Sequence, residues 1–390
     1  MRLRTITTPS DEIGYNNLSS AQRQAYDAVR ENRELYNNYG FVKVQGVLII
    51  GSWGSGKSQV LRTMKRDGLL SEILERGQIY EWITRDPNLE SKKTRTAILR
   101  SIIEIAKKTG DPFIALDNPD IPTGSDVSEN GAYEFTWYLL EQATFGILPF
   151  IVVTLNDFTF RKYEKEKPRS TAKLAQHFTI VRLEWSSEEL ARAIEERITI
   201  NETANGGLRG KTQHDLELIK SVAELTRTPR SGILLYLKAL QKGFTNINTL
   251  QDLIIDEGIV PAFNTYIELL SRSGYKLARA PGKKWIEVWR SALTNKSPKV
   301  RGVVRKLIDK ERGALSKELN ELLGKEYKVA HWPRTAAENY HIIERPEPLK
   351  YRFTDEFMAA AVDYAAGQRW AGDEVLKNMA ELYGRVHIIS

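Results

Sequence analysis

Short, mainly apolar runs recur through the first half of the chain. Five of them have the length of strands: residues 47–50, 78–83, 113–116, 150–154 and 178–183. Runs that do not alternate with polar residues are typical of strands buried on both faces of a parallel sheet. Segments with apolar residues at helical spacing lie before the first run, at residues 19–37, and between later ones, at residues 90–108, 133–144 and 170–176. The pattern predicts an α/β fold with a five-stranded parallel sheet covered on both faces.

After residue 185 the pattern changes to helices only. Helices are expected at residues 188–200, 212–225 and 231–242. Further along, residues 298–311 and 315–323 read as two helices, residues 332–340 as a short third helix, and residues 341–354 as a hairpin. That order is the plan of a winged helix-turn-helix. We therefore expect three domains, at residues 1–185, 186–245 and 246–390.

A glycine-rich segment follows the first predicted strand. It reads G-x-x-x-x-G-K-S, as Gly51-Ser52-Trp53-Gly54-Ser55-Gly56-Lys57-Ser58, the phosphate-binding loop of nucleoside triphosphatases. The glycines let successive N–H groups point at phosphate oxygens, and the helix after the loop adds its positive end. Lys57 is expected on the β- and γ-phosphates of ATP and the Ser58 hydroxyl on Mg²⁺. A chance glycine-rich turn is the alternative, and Trp53 is either a lid or a packed side chain.

An acidic residue ends the third predicted strand. Asp117 stands where a carboxylate is expected to hold the Mg²⁺ shell, although a polar residue that merely ends a strand is the alternative. Asn118 follows it, and an amide can orient water but cannot accept a proton. Two alternatives stay open: ATP hydrolysis is slow, or another acid serves as the base. The candidates for that acid are Asp120, Glu129 and Glu134.

Three further polar residues follow the later strands. Asn156 comes after the fourth strand, where its side chain is expected beside the γ-phosphate, although such an asparagine is usually a helix cap. Arg169 precedes the fifth strand and is expected either to reach a neighbouring subunit's nucleotide or to be a solvated surface charge. Arg230 opens a helix of the second domain and is expected to fold back on the phosphates, with Arg227 as its nearest rival.

These motifs occur in the order of the AAA+ ATPases, and the chain resembles their origin-recognition initiator clade and related archaeal ATPases. The resemblance covers residues 18–240 well. It implies a phosphate-binding motif at Gly51 to Ser58, Walker B at Asp117, sensor 1 at Asn156, an arginine finger at Arg169 and sensor 2 at Arg230. It also implies a C-terminal winged helix that binds DNA, and assembly into homo-oligomers or with another AAA+ subunit. Asn118 departs from the Asp-Glu pair of the family.

Composition and charge bound the remaining possibilities. The chain has 390 residues and no cysteine, which excludes disulfides, thiolate metal sites and a cysteine nucleophile. No apolar run is as long as a membrane span, so we expect a cytoplasmic, nucleoid-associated protein. The net charge is +7, and residues 275–352 hold about ten more basic than acidic residues. Cations and aromatic residues interleave in this segment: Lys283, Lys284, Trp285, Trp289, Lys296, Lys299, Arg301, Arg305, Lys306, Trp332 and Tyr340.

The sequence therefore predicts an ATPase that acts as a switch on duplex DNA, in replication initiation or a related transaction of a mobile element. A signalling ATPase with a protein-binding C-terminal domain is the second hypothesis. A helicase is the third, because residues 18–22 loosely resemble an adenine-reading glutamine motif.

Overall fold

The computed structural model describes residues 14–75, 78–79, 92–120, 129–148, 150–204, 213–244, 246–272, 282–309, 312–324 and 331–383. These residues fall into two compact units. The first ends at Trp185 and the second begins at Ser186. The further division of the second unit at residue 245 stays a prediction.

The first unit is built on the predicted five-stranded parallel sheet, which is confirmed. Its strands are β1 (Gly46–Gly51), β2 (Glu72–Glu75), β3 (Ile114–Asp117), β4 (Ile151–Asn156) and β5 (Phe178–Arg182). They lie in the order β2-β3-β4-β1-β5, so β4 is central, β1 lies between β4 and β5, and β2 is at an edge. A Cβ atom at Gly46 would lie 2.0 Å from the carbonyl oxygen of Ile151 and 2.8 Å from the Phe178 ring. Only glycine therefore lets β1 start between its two neighbours.

The prediction of a strand at residues 78–83 is wrong. Gln78 and Ile79 are helical, and residues 80–83 lie outside the described residues. The strand is instead β2, which pairs with β3 in parallel register from Glu72 to Glu75. Because β2 is an edge strand, only Leu74 of its four residues is buried. It therefore lacks the apolar run that marks the central strands.

Helices cover both faces of this sheet, as predicted. They are α1 (Ser20–Tyr39), α2 (Lys57–Arg66), α3 (Lys92–Thr109), α4 (Glu129–Thr144), α5 (Asp157–Glu166) and α6 (Pro168–His177). Successive side chains of β1 enter different buried clusters, Leu48 and Ile50 on one face and Val47 and Ile49 on the other. Helix α5 is absent from the sequence-based prediction, because its charged residues hide the buried Phe160 and Tyr163.

The second unit is mainly helical. Its helices are α7 (Ser187–Ala204), α8 (Gln213–Leu225), α9 (Pro229–Lys242), α10 (Ile247–Leu253), α11 (Val260–Arg272), α12 (Gly282–Thr294), α13 (Pro298–Ile308), α14 (Ser316–Gly324), α15 (His331–Asn339), α16 (Asp355–Ala365) and α17 (Arg369–Tyr383). A π-helical turn, Ile254–Ile259, joins α10 to α11 and packs on α16. A Cβ atom at Gly258 would lie 2.3 Å from the carbonyl oxygen of Ala361, so this contact needs a glycine.

A small antiparallel sheet accompanies these helices. Its strands, β6 (Ala314–Leu315), β7 (Ile343–Glu347) and β8 (Lys350–Phe353), lie in the order β6-β8-β7. Along the chain the elements run α13, β6, α14, α15, β7 and β8, which contains the predicted helices and hairpin. Among the described helices, none is both long enough and apolar enough to cross a membrane.

Candidate functional site

The predicted phosphate loop lies at the carboxyl edge of the sheet. It joins the end of β1 to the start of α2. The strand register places Gly51 beside Asn156 and pairs Asp117 with Thr154. The loop, Asp117 and Asn156 therefore come together where the parallel strands end, which is where open α/β sheets bind their ligands.

The backbone of the loop depends on its glycines. Gly54 and Gly56 have φ angles of 81° and 92°, in the left-handed region that favours glycine. A Cβ atom at Gly51 would lie 2.5 Å from the Ser55 hydroxyl oxygen. That hydroxyl is buried, and among the described residues it has no hydrogen-bond partner. The loop is thus a concave backbone segment with a polar atom left for a ligand.

Lys57 is buried at the first position of α2. Its ammonium nitrogen donates to the carbonyl oxygens of Gly51, at 2.6 Å, and of Ser52, at 3.1 Å. Burial lowers the pKa of Lys57, while the carboxylates of Asp120, Asp117 and Asp157 act in the opposite direction. A phosphate group would supply the compensating negative charge at the same place. In this structure the loop's own carbonyl groups hold the ammonium.

Asp117 and Asn118 form one hydrogen-bonded group with Thr154. Asp117 Oδ1 accepts from the Thr154 hydroxyl at 2.7 Å and from Asn118 Nδ2 at 2.8 Å. The backbone N–H of Asn118 donates to the same hydroxyl oxygen at 2.8 Å. Asn118 has a φ of 51°, which asparagine tolerates better than most residues. Its side chain therefore orients the Asp117 carboxylate.

Asp120 is a buried acid that the same edge of the sheet holds in place. Its Oδ2 accepts from the backbone N–H of Asn156, at 3.0 Å, and from the Thr159 hydroxyl. Its Oδ1 is buried and, within the described part of the chain, has no hydrogen-bond partner. Burial raises the pKa of Asp120, and the bonds from Thr159 and Asn156 and the charge of Lys57 offset only part of that rise.

The other two acids proposed as bases differ from Asp120. Glu134 is held by Lys167, with its carboxylate 3.2 Å from the ammonium nitrogen. The side chain of Glu129 lies outside the described part of the structure. Asn156 acts as the N-cap of α5, because its Oδ1 accepts from the backbone N–H of Phe158 at 3.4 Å. Its Nδ2 is not used in that cap.

The predicted arginines lie in both units. Arg169 is exposed in the first turn of α6. Arg230 lies in the first turn of α9, and its guanidinium is 5.0 Å from the centre of the Trp370 ring. Arg227 is nearly buried and donates to the Asp355 carboxylate at 2.7 Å. Both residues of the second unit thus contact helices that follow the hairpin.

Two contacts on the outside of the loop are not predicted by the sequence. Gln22 Nε2 donates to the Gly56 carbonyl oxygen at 3.1 Å. The indole N–H of Trp185 donates to the Ser55 carbonyl oxygen at 3.0 Å. These residues are 34 and 130 positions away from their partners, so no local pattern reveals the contacts.

The basic segment is more strongly paired internally than the sequence predicts. Three of its cations are held by acids of the same unit: Arg301 by Asp256, Arg305 by Asp252 and Lys306 by Glu318. Lys296 and Lys299 are exposed, although Lys299 lies 3.2 Å from a Glu321 carboxylate oxygen. The side chains of Lys283 and Lys284 lie outside the described residues.

The prediction that aromatic residues interleave with these cations on a surface is wrong for three of the four. Trp285, Trp289 and Tyr340 are buried. Trp285 stacks on Tyr340, with ring centres 5.6 Å apart, and the Trp289 N–H donates to the Pro333 carbonyl. Their apolar area stabilises the domain core instead. The side chain of Trp332 lies outside the described residues.

The predicted metal ligands suit a hard cation that keeps most of its ligands from water and phosphate. In the part of the chain that the structure describes, no group of three or more acidic or histidine side chains could hold a metal alone. Mg²⁺ commonly binds through one or two protein oxygens together with phosphates. The Ser58 hydroxyl, in the first turn of α2, and the Asp117 carboxylate are oxygen donors of this kind.

Comparisons with known proteins give structural neighbours only. No family model and no curated protein matches the chain. The ORC2 protein of Aeropyrum pernix, with ADPNP and ADP, is 13% identical over 95% of this chain and 99% of its own, with a TM-score of 0.42. The Walker-type ATPase of Pyrococcus abyssi is 11% identical over 92% and 99%, with a TM-score of 0.47.

Domain III of the replication initiation protein DnaA from Thermotoga maritima is 13% identical over 61% of this chain and 93% of its own, with a TM-score of 0.37. Because these TM-scores are below 0.5, the assignment of function rests on the residues of the site and not on the neighbours. The resemblance to AAA+ ATPases of the origin-recognition clade therefore rests on the motifs of the sequence.

Proposed function

We infer that this protein is an ATPase of the AAA+ type, which binds ATP with Mg²⁺ and acts as a slowly hydrolysing switch on duplex DNA. The observation that carries this proposal is the placement of the phosphate loop, Asp117 and Asn156 at one edge of a five-stranded parallel sheet. The glycine cradle fits a phosphate-bearing ligand, and so does the Ser55 hydroxyl, which has no hydrogen-bond partner among the residues that the structure describes.

Each residue of the edge has a role in this proposal. The loop amides and the Lys57 ammonium hold the phosphates, so Lys57 exchanges its two carbonyl acceptors for phosphate oxygens. Ser58 and Asp117 hold Mg²⁺, which neutralises charge on the phosphates. The amide of Asn156 is a donor that can orient the γ-phosphate or the attacking water.

Slow hydrolysis follows from the side chain at position 118. Its amide donates to Asp117, so it fixes the metal ligand and offers no basic group for the attacking water. Asp120 is the described acid that best fits the alternative, because it is buried and has one unused oxygen.

The two arginines are proposed to act in assembly and sensing. Arg169 is exposed at the start of α6, which suits an arginine that completes the site of a neighbouring subunit. Arg230 is proposed to respond to the phosphates, and its contact with Trp370 ties that response to α17. We expect Arg169→Ala to lose ATP turnover. If Arg169 acts in trans, mixing this variant with Lys57→Ala, which still carries Arg169, should restore turnover. Without restoration, that role would be refuted.

Duplex DNA is the proposed partner of residues 246–390. The elements α13, β6, α14, α15, β7 and β8 have the order of a winged helix, and the exposed Lys296, Lys299 and Arg345 offer cations for phosphates. Replication initiation or a related mobile-element transaction is the proposed setting. A gel shift of the full chain on random duplex DNA should show binding that weakens steeply as salt rises. No binding at low salt would refute it.

Assembly of a protein complex is the second candidate function. The small antiparallel sheet and its hairpin turn also expose apolar side chains: Leu349 is 66% exposed and Leu315, in β6, is 50% exposed. The cations of α13 that pair with acids of the same unit also favour this second function, because they are less available to bind DNA phosphates. If the gel shift fails while the protein binds ATP, this candidate takes first place.

A further inference from the structure

Two side chains hold the outside of the phosphate loop, one on each of two consecutive peptide groups. The Trp185 indole binds the carbonyl of Ser55 at 3.0 Å, and Gln22 binds the carbonyl of Gly56 at 3.1 Å. A Cβ atom at Gly56 would lie 2.5 Å from Gln22 Nε2 and 3.9 Å from the Trp185 ring. Both side chains thus lie against the same glycine.

Because a trans peptide is planar, contacts with the loop's carbonyl groups also set the direction of its N–H groups. The carbonyl of one residue and the N–H of the next lie in one plane and point in opposite directions. A donor that fixes the Ser55 carbonyl therefore aims the Gly56 N–H the other way, and a donor on the Gly56 carbonyl does the same for the Lys57 N–H. The Gly56 carbonyl also accepts from the Val60 N–H at 3.1 Å, so α2 already restrains that second peptide.

Gln22 is itself held rigidly. It is buried, and its Oε1 accepts from the Ser19 N–H at 3.0 Å while the Ser19 hydroxyl accepts from the Gln22 N–H at 3.2 Å. This capping box starts α1, so the start of that helix fixes the position of the side chain that reaches the loop. Trp185 is the last residue of the first unit.

We propose that Gln22 and Trp185 form a clamp that positions the phosphate-binding N–H groups of Gly56 and Lys57. The inference rests on the proposed nucleotide binding and goes beyond it, because neither residue belongs to the loop motif. The clamp acts on the phosphates and not on the base. Positioning in the absence of ligand lowers the ordering cost of binding, which is how pre-organisation raises affinity.

One substitution tests each half of the clamp. Gln22→Glu keeps an oxygen for the Ser19 cap but turns a donor into an acceptor that faces the Gly56 carbonyl. Trp185→Phe keeps an aromatic ring at this position but removes the indole N–H together with the fused five-membered ring that carries it. The matched control is Gln24→Glu, which adds the same charge at an exposed position of α1. The readouts are calorimetric dissociation constants for ATP and for inorganic tripolyphosphate, with the melting temperature of each ligand-free protein.

Tripolyphosphate lacks the base and the sugar, so it reports the loop alone. We expect Gln22→Glu to weaken both ligands by about tenfold and Trp185→Phe by about two- to tenfold, as for one lost or opposed hydrogen bond. Gln24→Glu should leave both constants within about twofold of the wild type, which separates the lost bond from the added charge.

Each other result overturns the clamp in a recognisable way. If ATP weakens while tripolyphosphate does not, the side chains read the nucleoside. If the wild type binds ATP and both variants bind it equally well, the contacts are only structural, whatever the melting temperatures do. If the wild type binds neither ligand, the proposed function itself fails.

Discussion

Replacing Asn118 by glutamate asks whether this position limits ATP hydrolysis. In the structure the Asn118 amide donates to Asp117 Oδ1 at 2.8 Å, and the residue has a φ of 51°. Glutamate cannot make that donation and lacks asparagine's tolerance of the left-handed region. The substitution therefore brings a carboxylate to the site and removes a contact that orients the metal ligand.

The two costs can be estimated from the structure. A hydrogen bond to a charged group contributes about 1.5–3 kcal/mol, and the left-handed conformation costs a residue other than glycine or asparagine about 1 kcal/mol. We expect the free energy of unfolding to fall by about 3 kcal/mol, which a domain of ordinary stability tolerates. General-base assistance raises rates by about 10²–10⁴. Because the strained backbone and the lost contact with Asp117 should reduce the benefit of a general base, we expect a gain in hydrolysis rate of at least about tenfold.

The assay is single-turnover hydrolysis of ATP with Mg²⁺ present. Asn118→Gln is the matched control, because it has the length of glutamate and the same backbone cost but no basic group. We expect it to lose stability without a gain in rate. The wild type should turn over slowly and stay bound to ATP for long periods.

A fast wild type that is indifferent to Asn118→Glu would refute this reasoning. An acid elsewhere would then be the base, and Asp120 is the first to test. In that case Asp120→Ala would abolish turnover while ATP still binds. If Asn118→Glu and Asn118→Gln raise the rate equally, the gain comes from altered Asp117 geometry and not from a base.

Further expected outcomes concern stability and DNA. Burial raises the pKa of Asp363 to about 6. The folded protein therefore holds the proton of the Asp363 carboxyl group more tightly than the unfolded chain does. The contribution of this group to the free energy of unfolding falls as pH rises from about 4 to about 6. In denaturant titrations across that range, Asp363→Asn should remove about 3 kcal/mol of this pH dependence. Gly46→Ala places a methyl group 2.0 Å from a β4 carbonyl and should cost at least about 3 kcal/mol in the same titrations. Gly302→Ala, in a helix with open space, should instead stabilise by about 0.5–1 kcal/mol. Lys296→Ala with Lys299→Ala should weaken duplex DNA binding for all sequences alike and lower the salt slope by about two; an unchanged slope would place the DNA contacts elsewhere.

Local chemistry explains what could be predicted from the sequence. Ser19 and Gln22 form the capping box that starts α1, close to the predicted start. The run at β1 is buried on both faces, so its apolar side chains mark it without ambiguity. Asp117 ends β3 as predicted because the strand and the turn are encoded within a few residues.

Long-range contacts explain what could not be predicted. The edge strand β2 is half-exposed, so only its pairing with β3 identifies it. The sequence predicts a surface cation at Arg301, but the side chain is buried and pairs with an acid 45 positions away, Asp256, which is itself exposed. The contact between Trp185 and the Ser55 carbonyl spans 130 positions. Each of these depends on tertiary packing, which a one-dimensional pattern does not contain.

Calorimetric titration of ATP with Mg²⁺ into the wild type and Lys57→Ala tests the central claim most directly. Lys57 is the buried cation of the loop, and a charge-assisted bond to phosphate contributes about 1.5–3 kcal/mol. The wild type should bind ATP, and Lys57→Ala should bind it at least about tenfold more weakly. Lys65→Ala, at an exposed position of α2, should bind like the wild type. A wild type that does not bind ATP, or a folded Lys57→Ala protein with unchanged affinity, would contradict the assignment of this loop as a nucleotide site.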